Sequence, residues 1–161
     1  MMELWLIRHG KAELGIGIPD GQRRLVDEGR EKSEELAIYL KENLWNKTVE
    51  FWSSPLVRAR QTVEILAASF KEIPHFKGEI ANGDFYTLLT QWEHNKAEVQ
   101  IVVGHEPLLS DWVYEFTRKE VAFETTELVK LDIKHWIPPE GKVIESIRVK
   151  NNSGGKKWKE K

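Results

Sequence analysis

The chain is predicted to fold as a three-layer α/β/α domain: a mostly parallel central sheet, helices on both faces and a closing C-terminal strand pair. Three observations predict it. Five short apolar runs have strand composition, helical patterns of apolar residues separate most of them, and 161 residues suit one domain with a substantial core.

Glu3 to Arg8 is the first strand. Leu14 to Arg24 carries Gly15, Gly17, Pro19 and Gly21 and is a loop able to lie over a crevice. Asp27 precedes a helix running to about Leu44, in which Leu36, Ala37, Leu40 and Leu44 keep helical spacing. Val49 to Ser53 is the second strand and Leu56 to Phe70 the second helix, with Val63, Leu66, Ala67 and Phe70 on one side. Pro55 suits its start, because a helix start has no use for the missing N–H.

Ile73 to Asp84 is the least regular stretch, since Pro74, Gly78 and Gly83 break any period. A helix from Phe85 to about Asn95, a strand from Val99 to Val103 and a helix opened by Pro107 and ending near Phe116 follow. Leu128 to Ile133 and Val143 to Lys150, joined through Pro138-Pro139-Glu140-Gly141, read as a hairpin. Residues 1–150 form a single domain without internal repeats, and residues 151–161 read as a flexible basic tail.

Bulk properties narrow the function. A net charge of -2 carries no nucleic-acid footprint, and the absence of cysteine excludes disulfides, thiol nucleophiles and Cys-ligated zinc. No run approaches the roughly 18 apolar residues of a membrane span, and no signal-type segment opens the chain, so the expected location is the cytoplasm. The sequence sets no oligomeric state.

The chemistry lies where apolar runs end. Leu6-Ile7-Arg8-His9-Gly10 joins a strand to an Arg-His pair at its carboxyl end, where open α/β sheets hold ligands. Glu50-Phe51-Trp52-Ser53-Ser54-Pro55 leads into Arg58, and Gln100-Ile101-Val102-Val103-Gly104 leads into His105. If the three strands are parallel neighbours, Arg8, His9, Arg58 and His105 meet in one crevice. Guanidiniums bind phosphoryl oxygens, and an unprotonated imidazole can attack phosphorus. Arg58, in the first turn of its helix, sits where the dipole favours an anion. Other readings of the same residues are a turn at Gly10 capped by His9, a solvated Arg58, and His105 as a helix cap or a zinc ligand with His9. Zinc lacks further ligands at usable spacing, as His75, His94 and His135 stand in unrelated contexts.

Arg8-His9-Gly10, Ser54-Pro55-Leu56-Val57-Arg58-Ala59-Arg60-Gln61-Thr62 and Gly104-His105 together resemble the histidine phosphatase superfamily, which includes the cofactor-dependent phosphoglycerate mutases. The chain is most similar to its small SixA-type phosphohistidine phosphatases. The grounds are length, Asp20-x-x-Arg23-x-Leu25-x-x-x-Gly29, the Gly83-Asp84 loop and Phe123-Glu124-Thr125-Thr126, so the likeness runs from about Met1 to about Val149.

The resemblance implies a phosphoglycerate mutase-like fold and a two-step transfer with His9 as nucleophile. Arg8, Arg58 and a protonated His105 would stabilise the transferring group, with no metal or other cofactor. It also makes Gly10, Arg23, Gly83, Asp84 and Glu106 candidates for substrate contact. Gly83 and Asp84 would order a water or the incoming imidazole, or Asp84 would simply cap the helix at Phe85.

Ester-cleaving members carry an acid for the leaving alkoxide, for which Glu72, Glu79, Asp84, Glu93 and Glu98 are available but in no assignable motif. A histidine leaving group needs little proton donation. The expected partner is therefore a phosphohistidine-bearing signalling protein; a small phosphate monoester is the alternative, and a non-catalytic phosphate-binding adaptor a third reading. Neither nucleic acid nor membrane is an expected partner.

Overall fold

The computed structural model describes residues 2–150 and 158–160. Strands β1 (Met2–Arg8), β2 (Val49–Ser53), β3 (His75–Phe76), β4 (Val99–Gly104), β5 (Leu128–His135), β6 (Glu140–Val149) and β7 (Trp158–Glu160) form one seven-stranded sheet in the order β3-β2-β4-β1-β5-β6-β7. β3, β2, β4 and β1 run parallel, and β5, β6 and β7 complete the sheet antiparallel. The helices are α1 (Asp27–Leu44), α2 (Val57–Ala67), α3 (Gly78–Asn82), α4 (Phe85–His94) and α5 (Leu108–Thr117).

Strand alternation splits the core into two layers, because successive side chains leave opposite faces of the sheet. Leu4 and Leu6 join Leu88, Leu89, Trp92, Leu109, Trp112 and Val113 from α4 and α5. Trp5 and Ile7 join Leu36, Leu40, Val63 and Leu66 from α1 and α2 on the other face. This is the three-layer architecture expected from the sequence.

Two differences have simple causes. The irregular Ile73–Asp84 stretch holds β3 and the one-turn helix α3, both too short to show a periodicity. Asp27 is the first residue of α1 rather than its cap, a position held by Val26, which offers no side-chain hydrogen bond. Most of the expected flexible tail lies outside the described residues, while Trp158–Glu160 pairs with β6. Among the described residues no helix is long and apolar enough to cross a membrane.

Candidate active site

β1, β4 and β2 are parallel neighbours, so their carboxyl ends open on one place. The ladder continues one residue beyond the paired strands: the His9 amide donates to the Gly104 carbonyl at 3.1 Å, and the Ser54 amide to the Val103 carbonyl at 3.1 Å. These bonds fix the backbone from which Arg8, His9, Ser54 and His105 project. Arg58 enters from the first turn of α2, where Leu56 is the N-cap.

The four expected side chains do meet. His9, Arg58 and His105 are buried, with exposures of 6%, 7% and 8%, and the two imidazole centroids lie 5.2 Å apart. His9 Nδ1 lies 2.8 Å from the Gly10 carbonyl, and a carbonyl only accepts, so Nδ1 carries the proton. Arg58 Nε donates to His9 Nε2 at 3.3 Å, which therefore presents a lone pair. Of the two ring nitrogens, Nε2 is thus the one without a proton.

Electrostatics agree with that assignment. Burial, opposed by the Gly10 hydrogen bond and reinforced by His105, Arg58 and Arg8, lowers the His9 pKa from 6.5 to about 3. Burial and then Arg58 lower that of His105 to about 4. The expectation of a protonated His105 is corrected here: desolvation and two guanidiniums keep it neutral near pH 7.

Two buried nitrogen atoms of this cluster, Arg8 Nε and His105 Nδ1, have no hydrogen-bond partner in the structure. Buried polar groups are rarely left so. Arg8 is otherwise held by Nη1 donating to the Phe123 carbonyl at 2.9 Å. Among the described residues, no group of three or more His, Asp or Glu side chains is gathered as a metal would require.

The expected substrate-contact residues separate into different roles. The Gly10 amide donates to Thr62 Oγ1 at 3.0 Å, and a Cβ on Gly10 would lie 3.0 Å from the Gly29 carbonyl, so this turn is closely packed. Arg23 is engaged within its own loop, Nε on the Glu13 carbonyl at 2.6 Å and Nη1 on Asp20 Oδ1 at 3.0 Å. Gly83 ends α3 with φ +87°, a left-handed conformation that glycine adopts without strain.

Asp84 caps α4, accepting from the Thr87 amide at 3.3 Å and the Thr87 hydroxyl at 2.8 Å. Glu106 accepts from the Ser110 amide and hydroxyl and, at 3.2 Å, from the Phe123 amide. Its carboxylate thus ties α5 to the segment that holds Arg8.

Three contacts were not singled out in the sequence. Asp20 meets Arg58 through its carbonyl, which accepts from Nη1 at 2.8 Å, and its carboxylate, which accepts from Nη2 at 3.2 Å. Ser54 Oγ lies 2.7 Å from His105 Nε2. Thr62 Oγ1 donates to the Arg58 carbonyl at 2.7 Å while accepting from Gly10. All three stand inside the segments that carry the resemblance, the one signal that pointed to them.

Comparison with known proteins matches residues 4–106 to the histidine phosphatase superfamily (branch 1). An uncharacterised protein of Picosynechococcus sp. is 37% identical over 119 residues, covering 69% of this chain and 70% of that protein. A structure of the protein histidine phosphatase SixA complexed with tungstate superposes with a TM-score of 0.76, covering 90% of this chain and 96% of that one at 21% identity. A phosphoserine phosphatase of Entamoeba histolytica in complex with 3-phosphoglyceric acid gives a TM-score of 0.67, covering 91% and 96% at 15% identity. The two solved structures share the fold.

Proposed function

The chain belongs to the histidine phosphatase superfamily, and its family match together with its SixA-like fold supports a phosphatase; on that premise we propose that it removes phosphate from phosphohistidine on a signalling phosphotransfer protein, by way of a phosphohistidine at His9. The observation that carries this reading is the state of Asp20, the one carboxylate that touches Arg58 among the described residues. Asp20 is bound by Arg23 and faces Arg58, and these cations hold its carboxyl below the usual range, so it is ionised and has no proton to give. An alkoxide leaving group needs such a proton, whereas a phosphohistidine ring already protonated on its other nitrogen leaves as neutral imidazole without one. Asp84, one of the five carboxylates that the sequence offers for that role, is occupied as a helix cap.

The reaction then runs between two imidazoles. His9 Nε2 forms a bond to phosphorus as the bond from phosphorus to the substrate nitrogen breaks, and the substrate ring, protonated beforehand on its other nitrogen, departs as neutral imidazole. His9 keeps its Nδ1 proton on the Gly10 carbonyl throughout. Water next attacks phosphorus, the bond to His9 Nε2 breaks to restore the neutral Nδ1–H imidazole, and both protons of the water leave with the product as dihydrogen phosphate. Arg8, Arg58 and His105 supply fixed donors to the equatorial oxygens, where charge gathers. The guanidinium pair does the charge neutralisation that a metal ion supplies in other phosphoryl-transfer sites.

A second reading, hydrolysis of a small phosphate monoester, is favoured by the phosphoserine phosphatase that shares the fold. Phosphate release from a phosphohistidine-bearing photransfer domain and from a monoester, at equal enzyme concentration, separates the two. The proposal expects the phosphoprotein to be much the faster substrate and His9→Ala to abolish its turnover. Turnover of the monoester alone would establish the second reading.

A further inference from the structure

Ser54 ends the second strand's path into the site and is fully buried, yet its hydroxyl spans two elements. Its Oγ accepts the Leu56 amide at 3.2 Å, bridging Pro55 at the start of α2, and lies 2.7 Å from His105 Nε2. A serine hydroxyl has one proton. Since Oγ already accepts from Leu56, and no other acceptor for its proton is seen among the described residues, the proton is directed to His105 Nε2.

We infer that Ser54 is a positioning residue: by donating to His105 Nε2 it fixes the tautomer with hydrogen on Nδ1, the buried atom of His105 that has no partner, and so makes a neutral imidazole a donor to the phosphoryl oxygen. The inference rests on the phosphatase reading given above for its consequence, although the tautomer itself stands on geometry alone. The neutral state is consistent with the lowered His105 pKa, to about 4. A histidine whose other nitrogen is oriented by a neighbouring oxygen is a recurrent way of choosing which nitrogen works.

The device also couples the two halves of the pocket. The hydroxyl that orients His105 caps the turn leading into α2, whose second residue is Arg58. One side chain therefore sets the tautomer of one phosphate donor and the entry of the helix carrying another.

The test is nitrogen-15 NMR of the His105 ring in wild type, Ser54→Ala and Ser54→Thr, with inorganic phosphate affinity measured on the same samples. The expected result is protonated Nδ1 and bare Nε2 in wild type, a mixed or reversed tautomer in Ser54→Ala, and the wild-type pattern in Ser54→Thr. Phosphate affinity should fall about tenfold in Ser54→Ala, the value of one hydrogen bond, and recover in Ser54→Thr. A wild-type His105 protonated on Nε2 would overturn the inference whether or not Ser54→Ala folds. An unchanged tautomer and phosphate affinity in a folded Ser54→Ala would overturn it too. If the tautomer and phosphate binding behave as expected but no phosphohistidine ever forms at His9, the functional reading fails while the role of Ser54 stands.

Discussion

The Asp20 carboxylate lies on the Arg58 guanidinium, 3.2 Å from Nη2, with its carbonyl 2.8 Å from Nη1. A phosphoryl oxygen approaching Arg58 meets an anion already in contact. Because Asp20 is largely exposed, solvent screens the pair, and such contacts are worth about 0.2–1 kcal/mol. Asp20→Asn should therefore tighten binding of inorganic phosphate by up to about fivefold, read by isothermal titration calorimetry. Weaker binding in the variant would mean that Asp20 chiefly holds Arg58 in place.

The two buried histidines impose an acid dependence on stability. Their folded pKa values are about 3 and about 4 against 6.5 ordinarily, so the unfolded chain takes up protons first as pH falls. Stability is therefore fully present above about pH 6.5 and declines as pH drops toward 4, at up to ~1.4 kcal/mol per pH unit for each histidine. Urea unfolding between pH 4.5 and 6.5 measures the slope above the main carboxylate range. The double variant His9→Gln/His105→Gln should flatten it, and an equally steep decline would show that other groups carry it.

Glu106 should act on stability and on Arg8 together. Glu106→Ala leaves the Ser110 and Phe123 amides without their acceptor, a loss of about 1–3 kcal/mol. The Phe123 carbonyl in turn receives Arg8 Nη1, so the rate of phosphate release should fall as well. Denaturant unfolding and kcat/KM on the same variant check both effects. A rate loss with no change in stability would place Glu106 in direct contact with substrate.

The parts legible in the sequence are those written as strand ends. Each apolar run terminates at a polar pair, and because β1, β4 and β2 are parallel neighbours, the Arg8-His9 and His105 termini and the Arg58 helix fall into one crevice. The residues that tune these groups were not legible. Asp20 reaches Arg58 from a loop without periodicity, and nothing in Ser53-Ser54 tells which hydroxyl meets His105. Glu106 follows the late histidine directly, yet its carboxylate folds back on Ser110 four residues ahead. The protonation of His105 is a property of burial, which a residue string does not display.

Gly29 is a packing glycine. A Cβ there would lie 2.2 Å from the Lys11 carbonyl, in the turn that follows Gly10, so Gly29→Ala must push α1 away from the Arg8-His9-Gly10 segment. Overpacking of this kind costs about 1–3 kcal/mol, several degrees of Tm in a chain this size. Gly78→Ala meets nothing within 4 Å and should leave Tm unchanged or slightly raised, which makes the pair a controlled comparison by thermal melting. Equal Tm values would show that the Lys11 turn yields without cost.

In the proposed reaction the phosphoryl group passes through His9. Rapid acid-free quenching of the enzyme with a phosphohistidine-bearing phosphotransfer domain, followed by peptide mass spectrometry under alkaline conditions, tests it most directly. The expected result is a phosphoryl group on the peptide carrying His9, formed and lost on the timescale of turnover and absent in His9→Ala. Turnover that continues at the wild-type rate in His9→Ala, or phosphate found on another residue instead, would contradict it.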